Sequence, residues 1–463
     1  MKKYILALVL GASVSTFSYA QENQTEAQQE LQGYIDEGLV KFKSDNGKFQ
    51  FRVGARVDLD GALYVDDYTD RGSGADISAA RLRVISKLGD KLDFKMDLDF
   101  ATKNIFKDVY LRWHTNKNGF LRVGNMAEAF SAENIQSTMD NPFINKSATV
   151  ESFGTGRTHG IAYRYYHPNF WGEAGVYSQK LTTDSKNKGD MGYAVSTRLL
   201  GRVTNDDWNF HIGGSFNFRR PDANGFTNGS DDYNRAVTIG SSLESCVDDT
   251  KFIGATINNV KNVIRYGGEV MANYRNLYVK GEYIGAVYNR ERDWDYNYTA
   301  SLGSLLSTMF PTLEAYKSLM GEDEAAKFKG FSVEAGVIAI GGNYKYNRVD
   351  ALMNRPKGKT LEFVARYNHT DLNDIVPGSW WVYNGYTGGG FYTSALHQSF
   401  GITNQSVSGG KVDSFTFGVN YYITDNIVTR FNYCYQHLDQ QYNLAFREDK
   451  NLHSFQAKLL FQF

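Results

Sequence analysis

The chain has 463 residues, with 50 basic and 51 acidic side chains and a formal net charge of −1. Tyr (31), Phe (30) and Gly (45) are abundant and Pro (6) is scarce, a bias toward strands and tight turns. With only 42% hydrophobic residues it is no bundle of membrane helices, and its length suits one large all-β domain.

The first twenty residues form a targeting segment. Lys2 and Lys3 give a basic start, an apolar run extends from Tyr4 to about Val14, and Ser18-Tyr19-Ala20 is a small-x-small cleavage signal. Residues 1–20 are therefore expected to be a signal peptide, with the mature chain beginning at Gln21. The apolar run is too short for an anchor, and no later stretch is long and apolar enough to cross a membrane as a helix. Residues 21–47, rich in Gln and Glu, are expected to form a loose periplasmic extension with one helical turn. Cys246 and Cys434 define neither a disulfide framework nor a zinc site; they are incidental or form a single bridge.

From Lys48 the pattern changes to period two. Phe49, Phe51, Val53, Ala55, Val57 and Leu59 alternate with Gln50, Arg52, Gly54, Arg56, Asp58 and Asp60. That is a strand with one apolar and one polar face. Leu92, Phe94, Met96, Leu98 and Phe100 repeat it against Asp93, Lys95, Asp97 and Asp99. So do Phe455, Ala457, Leu459 and Phe461 against Ser454, Gln456, Lys458 and Gln462. The same test predicts sixteen strands, starting near Lys48, Asp76, Lys91, Ile105, Gly119, Arg157, Asn169, Asp190, Asp207, Asn262, Asn276, Gly330, Lys359, Lys411, Asp425 and Asn451. Even-numbered connections are mostly short (Gly89-Asp90, Thr115–Asn118, His167-Pro168, Thr424-Asp425), while odd ones are often long (128–156, 221–261, 291–329, 371–410).

Short turns on one side and long loops on the other define a transmembrane antiparallel β-barrel over residues 48–463, with periplasmic turns, extracellular loops and both chain ends in the periplasm. In lipid no backbone group can stay unpaired, and closing the sheet removes both edges. Sixteen strands leave an aqueous channel, whereas about eight are filled by side chains. A soluble exported all-β protein is the alternative. Against it stand the charged polar faces, strand after strand. Aromatic residues also gather near strand ends (Tyr64, Tyr110, Trp113, Trp171, Trp208, Tyr288, Trp380, Trp381, Tyr435), as interface girdles would.

Several stretches resemble the phosphate-selective porin O and P family. They are Ala80-Arg81-Leu82-Arg83 through Lys87-Leu88-Gly89-Asp90 and Leu92–Ala101, then Leu121-Arg122-Val123-Gly124 with Glu128-Ala129-Phe130-Ser131-Ala132-Glu133. Gly154-Thr155-Gly156-Arg157, Leu361–Tyr367 with Asp371-Leu372-Asn373-Asp374, and Val419-Asn420-Tyr421-Tyr422 with Val428–Tyr433 continue it in order. The resemblance spans nearly the whole mature chain. It implies a sixteen-stranded outer-membrane barrel, a homotrimer, a third loop folded into the pore, and stacked basic side chains that guide phosphate. Where the family commonly shows Phe-Arg-Arg-Ala-Arg, this chain has Ile77-Ser78-Ala79-Ala80-Arg81. Two expected arginines are replaced, so phosphate is expected to bind weakly.

Alternation assigns the faces. The basic residues expected in the lumen are Arg52, Arg56, Arg81, Arg83, Arg112, Arg122, Arg164, Arg198, Arg366 and Arg430, with Lys87, Lys95, Arg219, Arg265, Lys280 and Lys458. Eleven acids share that face: Asp58, Asp60, Asp93, Asp97, Asp99, Asp108, Glu173, Glu269, Glu282, Glu334 and Glu362. The basic surplus predicts passive diffusion of small hydrophilic solutes with a mild anion preference, a dedicated phosphate channel being the alternative. The inward loop at about 128–156 carries Glu128, Glu133, Asp140 and Glu151 against Lys146. These acids either face the basic wall and set up a field across the constriction, or bind the wall and the loop's own turns structurally.

Residues 300–328 carry Leu302, Leu305, Leu306, Met309, Leu313, Tyr316 and Leu319 at near-helical spacing, predicting a helix within an outer loop. The eight histidines are scattered and no hydrolase, phosphate-loop or CxxC motif appears. The enzyme alternative is an outer-membrane lipase, which needs an outward His beside a Ser. A third class is an adhesin using the outer loops. The expected partners are the bilayer, further copies of the chain and small anionic or polar solutes. No cofactor, metal or nucleic acid is expected.

Overall fold

The computed structural model describes residues 31–36, 39–44, 47–66, 71–178, 191–223, 235–291, 312–320, 325–374, 381–382, 406–439 and 450–463. Sixteen antiparallel strands close into one barrel. They are β1 (Phe49–Asp66), β2 (Gly74–Leu88), β3 (Leu92–Asp99), β4 (Phe106–Asn116), β5 (Gly119–Ala127), β6 (Arg157–His167), β7 (Phe170–Tyr177) and β8 (Tyr193–Thr204). Then come β9 (Trp208–Arg220), β10 (Val260–Tyr274), β11 (Leu277–Arg290), β12 (Ala326–Ile340), β13 (Thr360–Asp374), β14 (Ser406–Tyr422), β15 (Ile427–Leu438) and β16 (Lys450–Gln462). Each pairs with its sequence neighbours, and β16 returns to β1 with Lys458 opposite Asp60. Every start lies close to the expected one; the widest gap is at β14, which begins at Ser406 rather than near Lys411.

The polarity is the reverse of a soluble protein's. Side chains facing away from the axis are apolar and open, such as Leu63, Val176, Ile212 and Phe431, each more than half exposed. Side chains facing the axis are charged and buried: Arg198 and Arg430 are among the largest fully buried groups. Water cannot be the solvent of the outer face, so this is the surface a bilayer covers. Trp113 and Trp208 stand on that face. Tyr110, Trp171 and Tyr288, read from sequence as girdle residues, instead turn inward and are buried, and Trp380 lies outside the described residues.

Of the register shifts in the ladder, two bear on which side chains face the lumen. Asp58 pairs with Ala79 and Leu59 with Ile77, so Ser78 is the extra residue of β2, and both Ser78 and Ala79 reach the interior. Lys458 Nζ donates to Ser78 Oγ (3.1 Å) there. Between β3 and β4, Met96 pairs with Val109 and Leu98 with Phe106.

The described part of the N-terminal extension is strand; residues 21–30, where a helical turn was expected, lie outside the described residues. Leu31–Asp36 and Leu39–Ser44 form a hairpin, and Val40–Lys43 pairs with Val53–Gln50 of β1. β1 runs beyond the last residue of β16, and the hairpin supplies the backbone partner that β16 no longer gives. Within 291–325, the helix-like spacing appears as Leu313–Met320; residues 292–311 lie outside the described residues.

Candidate permeation pathway

Three connections fold into the lumen. The third extracellular loop, L3 (128–156), leaves β5 and carries helices α1 (Ala132–Ile135) and α2 (Ala148–Phe153). Ser131 caps α1, and the Ala132 and Glu133 amides donate to the Glu282 carboxylate of β11 (2.9 and 3.2 Å). A carboxylate is favoured at this helix end because the amides there lack intrahelical acceptors. The loop tip reaches the far wall, where Arg430 donates to the Thr138 and Met139 carbonyls (3.1 and 2.6 Å) and Arg56 to Thr138 Oγ1 (2.9 Å).

The fifth extracellular loop, L5 (221–259), enters from the same side with the strand pair Val237–Ser241 and Ile253–Ile257. Its Glu244 accepts from Arg366 (2.5 Å), Ser414 (3.0 Å) and Thr416 (2.6 Å) on the wall. Ile239, Leu243, Phe252, Ile253 and Ala255 of this loop pack with Phe130, Val150 and Phe153 of L3 into an apolar core inside the barrel.

The sixth periplasmic turn, T6 (341–359), is an exception to the mostly short even connections. It rises into the lumen from below. Gly341 opens it at φ +122, where a Cβ would meet Thr360 Oγ1 at 2.4 Å, so only glycine turns the chain inward there. Its carbonyls take the wall arginines: Arg202 donates to Arg348 O (2.6 Å), Arg198 to Ala351 O (3.0 Å), and Trp171 Nε1 to Val349 O (2.8 Å). Ala351 sits at φ 53, a conformation these bonds hold in place. Tyr346 OH meets His211 Nδ1 (3.0 Å), and Tyr344 OH donates to Glu362 (2.6 Å).

These elements sort the sequence-predicted residues into two groups. Arg198 binds Glu269 through two nitrogens (2.9 and 2.6 Å) beneath T6. Arg122 and Arg164 share Glu173, and Arg164 also pairs with Asp350 of T6. Arg366 is held between Glu133 (3.2 Å) and Glu244. Arg56 pairs with Asp58, and Arg430 is spent on loop carbonyls. These six are buried against the inward connections or their own acid partners; alternation gives a side chain's face but not what covers it. Arg81, Arg83 and Arg112, with Lys95 and Arg157, stand on the arc β2–β6 that the three connections leave uncovered. Arg52 is half-buried at the periplasmic end of β1 and makes no ion pair among the described residues. Lys107, at the β4 bulge, adds a further cation with Asp99, Arg81, Arg157 and Asp97 as its charged neighbours; the bulge breaks the parity that would have revealed it.

The loop acids divide similarly. Glu128 accepts from Thr158, Ser196 and Asn217 and pairs with Arg219. Glu133 accepts from the Ser147 amide and hydroxyl (both 2.7 Å) and from Arg366. Both are fully buried, which fits the structural of the two readings. Glu151 ties L3 to Ser241, Ser242 and Lys251 of L5. Asp140 alone of the four makes no ion pair among the described residues.

Two open cavities flank L3. An outer one of about 450 Å³ is bordered by Arg219, Lys251 and Arg265. A periplasmic one of about 650 Å³ is bordered by Asp140, Lys345, Arg355, Lys357 and Asp425. The outward histidines find other partners than serine: His369 binds Asp413 (2.8 Å), His437 Asn451 (3.0 Å) and His453 Tyr433 (2.9 Å). Among the described residues no serine hydroxyl is bonded to these rings.

A closed sixteen-stranded barrel with an apolar outside, a charged inside and an inward third loop is an outer-membrane porin. Residues 48–463 match the family described as phosphate-selective porin O and P, and the chain belongs to it. No curated protein matches the chain. Among solved structures it is similar to OmpT of Vibrio cholerae lacking loop L8 (12% identity, TM-score 0.47, covering 90% of this chain and 100% of that one). It is also similar to an anion-selective porin from Comamonas acidovorans (12%, 0.47, 90% and 100%) and to OprB of Pseudomonas putida at high pH (9%, 0.49, 90% and 94%).

Proposed function

We propose that this porin passes small hydrophilic solutes by passive diffusion with a mild preference for anions. One observation carries the reading: in the pairs Arg81–Asp99, Arg83–Asp97, Lys95–Asp108, Arg112–Asp93 and Arg157–Asp108 along β2–β6, the cation is more exposed than the acid. The Arg83 side chain is 26% exposed against 2% for Asp97, and Arg112 is 30% exposed against 11% for Asp93. Arginine is several atoms longer than aspartate. Paired on one wall, the guanidinium meets the water and the carboxylate stays at the sheet. The pairs are neutral in sum, yet a solute meets their positive ends, which favours anions. Reversal potentials in a chloride gradient test this; a clear cation preference overturns it.

The second reading, a dedicated phosphate channel, draws on the family's description. Against it, Ser78 and Ala79 occupy inner-wall positions where the family commonly carries arginines. Tight phosphate capture leans on several guanidinium and ammonium donors acting together. Chloride conductance titrated with phosphate separates the two: block at sub-millimolar phosphate favours the dedicated channel. The proposal extends to a homotrimer, and to a signal peptide cleaved after Ala20 during export.

A further inference from the structure

The loop tip at Thr138–Asp140 lies where the open arc meets the periplasmic cavity, and its backbone is fixed independently of the Asp140 side chain. The Asp140 amide donates to Ser137 O (2.9 Å), and Gln136 Nε2 donates to Asp140 O (3.0 Å). The carboxylate borders the 650 Å³ cavity, and its charged neighbours are four arginines from three walls and a turn: Arg355 of T6, Arg430 of β15, Arg83 of β2 and Arg56 of β1. It is in direct ion pair with none of them among the described residues.

The donors around it are not used up. Arg56 Nη1, Arg355 Nη1 and Arg430 Nε are buried nitrogens without an acceptor. Arg56 and Arg430 are themselves 4% and 1% exposed. Among the described residues Arg355 donates only to neutral oxygens, the Asp425 carbonyl (2.8 Å) and Gln462 Oε1 (3.2 Å), and Arg430 only to loop carbonyls. A buried guanidinium with unmet donors and no carboxylate partner attracts an anion. Of the three, Arg355 borders the cavity, while Arg56, which keeps Asp58 as a partner, and Arg430 stand among the charged neighbours of Asp140. Their unmet donors would make a site for a small oxyanion at the loop tip, were the Asp140 charge not already present.

We propose that Asp140 is the specificity-determining residue of this pore, an internal counter-anion that keeps permeating oxyanions from lodging among Arg56, Arg355 and Arg430. The chemical class concerned is small oxyanions, of which inorganic phosphate is the probe. The idea rests on the anion-preferring reading and explains how such a pore stays weakly binding: anions are drawn along the arc and then released past a resident carboxylate.

The test is single-channel chloride conductance of the full-length protein, titrated with inorganic phosphate, for the native chain and Asp140→Asn. Asp140→Asn should be blocked at about tenfold or more lower phosphate than the native pore, the order expected for removing one charge beside several guanidiniums in a partly wet site. Arg355→Gln added to Asp140→Asn should return the block to the native concentration. Equal phosphate sensitivity of Asp140→Asn and the native chain overturns the proposal. So does an increased block that Arg355→Gln leaves untouched, because the site would then lie elsewhere. Should Asp140→Asn not insert, Asp140→Ser reads the same comparison. The native reversal potential is recorded in the same bilayers. A cation-selective native pore overturns the anion reading, whereas the ratio of the two block concentrations judges Asp140 alone.

Discussion

Lys146 is the one lysine of L3, and its Nζ donates to the Asn134 carbonyl (2.6 Å). Burial, helped by Arg157, pushes its ammonium down to about 8, against the pull of Glu133 and Glu282. Its charge is therefore present at pH 7 and largely gone at pH 9. Anion preference should fall over that interval, and Lys146→Gln should flatten the dependence; an equally steep profile in the variant would remove Lys146 from the account. The stability term has the opposite sense. A lysine whose folded-state pKa lies below the ordinary 10.5 costs stability while charged. That cost is complete below about 8 and is relieved as the pH rises toward 10.5. Asp140 titrates at the other end: burial raises its carboxyl above the ordinary value despite Arg355, Arg430, Arg83 and Arg56. Acidification should thus raise phosphate block in the native pore relative to Asp140→Asn, the variant serving as the control for the titration of phosphate itself. Arg366 has a structural role, since it is shared between the buried Glu133 and Glu244. Arg366→Met should destabilise the barrel by about 3–5 kcal/mol, read as a lower temperature of heat-modified gel migration, because two carboxylates lose their shared partner. The faces of these residues were legible in the alternation. Their burial was not, since it depends on which loop lies over them.

At the level of elements, the strands could be read from the chain because an apolar outer face repeats every two residues against lipid, whereas the inward L3 came only from the family resemblance. T6 could not be read from either. Its grip on the wall uses backbone carbonyls at Arg348, Val349, Asp350 and Ala351, which any side chain would offer, and its strands Lys345–Asn347 and Leu352–Asn354 are three residues each. The one local sign is Gly341-Gly342, which reads as an ordinary turn. L5 leaves a similarly thin trace, because Ile239, Leu243 and Ile253 pack on other loops and follow no strand period across the membrane. Replacing Lys345–Asn354 by a short Gly-Ser link should leave the barrel closed, since T6 makes no pairing with its ring of strands. It would open the guanidiniums of Arg164, Arg198 and Arg202 to water. Conductance should rise and anion preference increase. Unchanged conductance would mean that the passage runs wholly along β2–β6 and that T6 only braces the opposite wall.

The molecule as a whole is lopsided. β3 and β7 have eight residues and β5 nine, while β1 has 18 and β14 has 17. At about 3.3 Å per residue and a tilt near 45°, eight residues rise only about 19 Å, short of the roughly 25 Å apolar band of an outer-membrane barrel. The long strands cross with residues to spare. A short wall next to lipid would force the bilayer to thin, whereas a short wall against another copy of the chain need not match it. Leu111 and Trp113 of β4 and Val123 of β5 stand outward on this side, each more than 40% exposed. The contacts of the proposed homotrimer are expected along β3–β7. Cysteines introduced at Leu111 or Val123, in a Cys246→Ser/Cys434→Ser background, should cross-link between copies in native outer membranes. Cysteines at the outward Phe417 and Phe431 of the long side should not. Leu111→Lys with Trp113→Lys should convert the assembly to monomers that remain heat-modifiable and conducting, because the barrel closes through its own ladder and needs no neighbour to do so. Cross-linking from the Phe417 side instead would move the interface to the long wall, and the strand lengths would then report local membrane thickness.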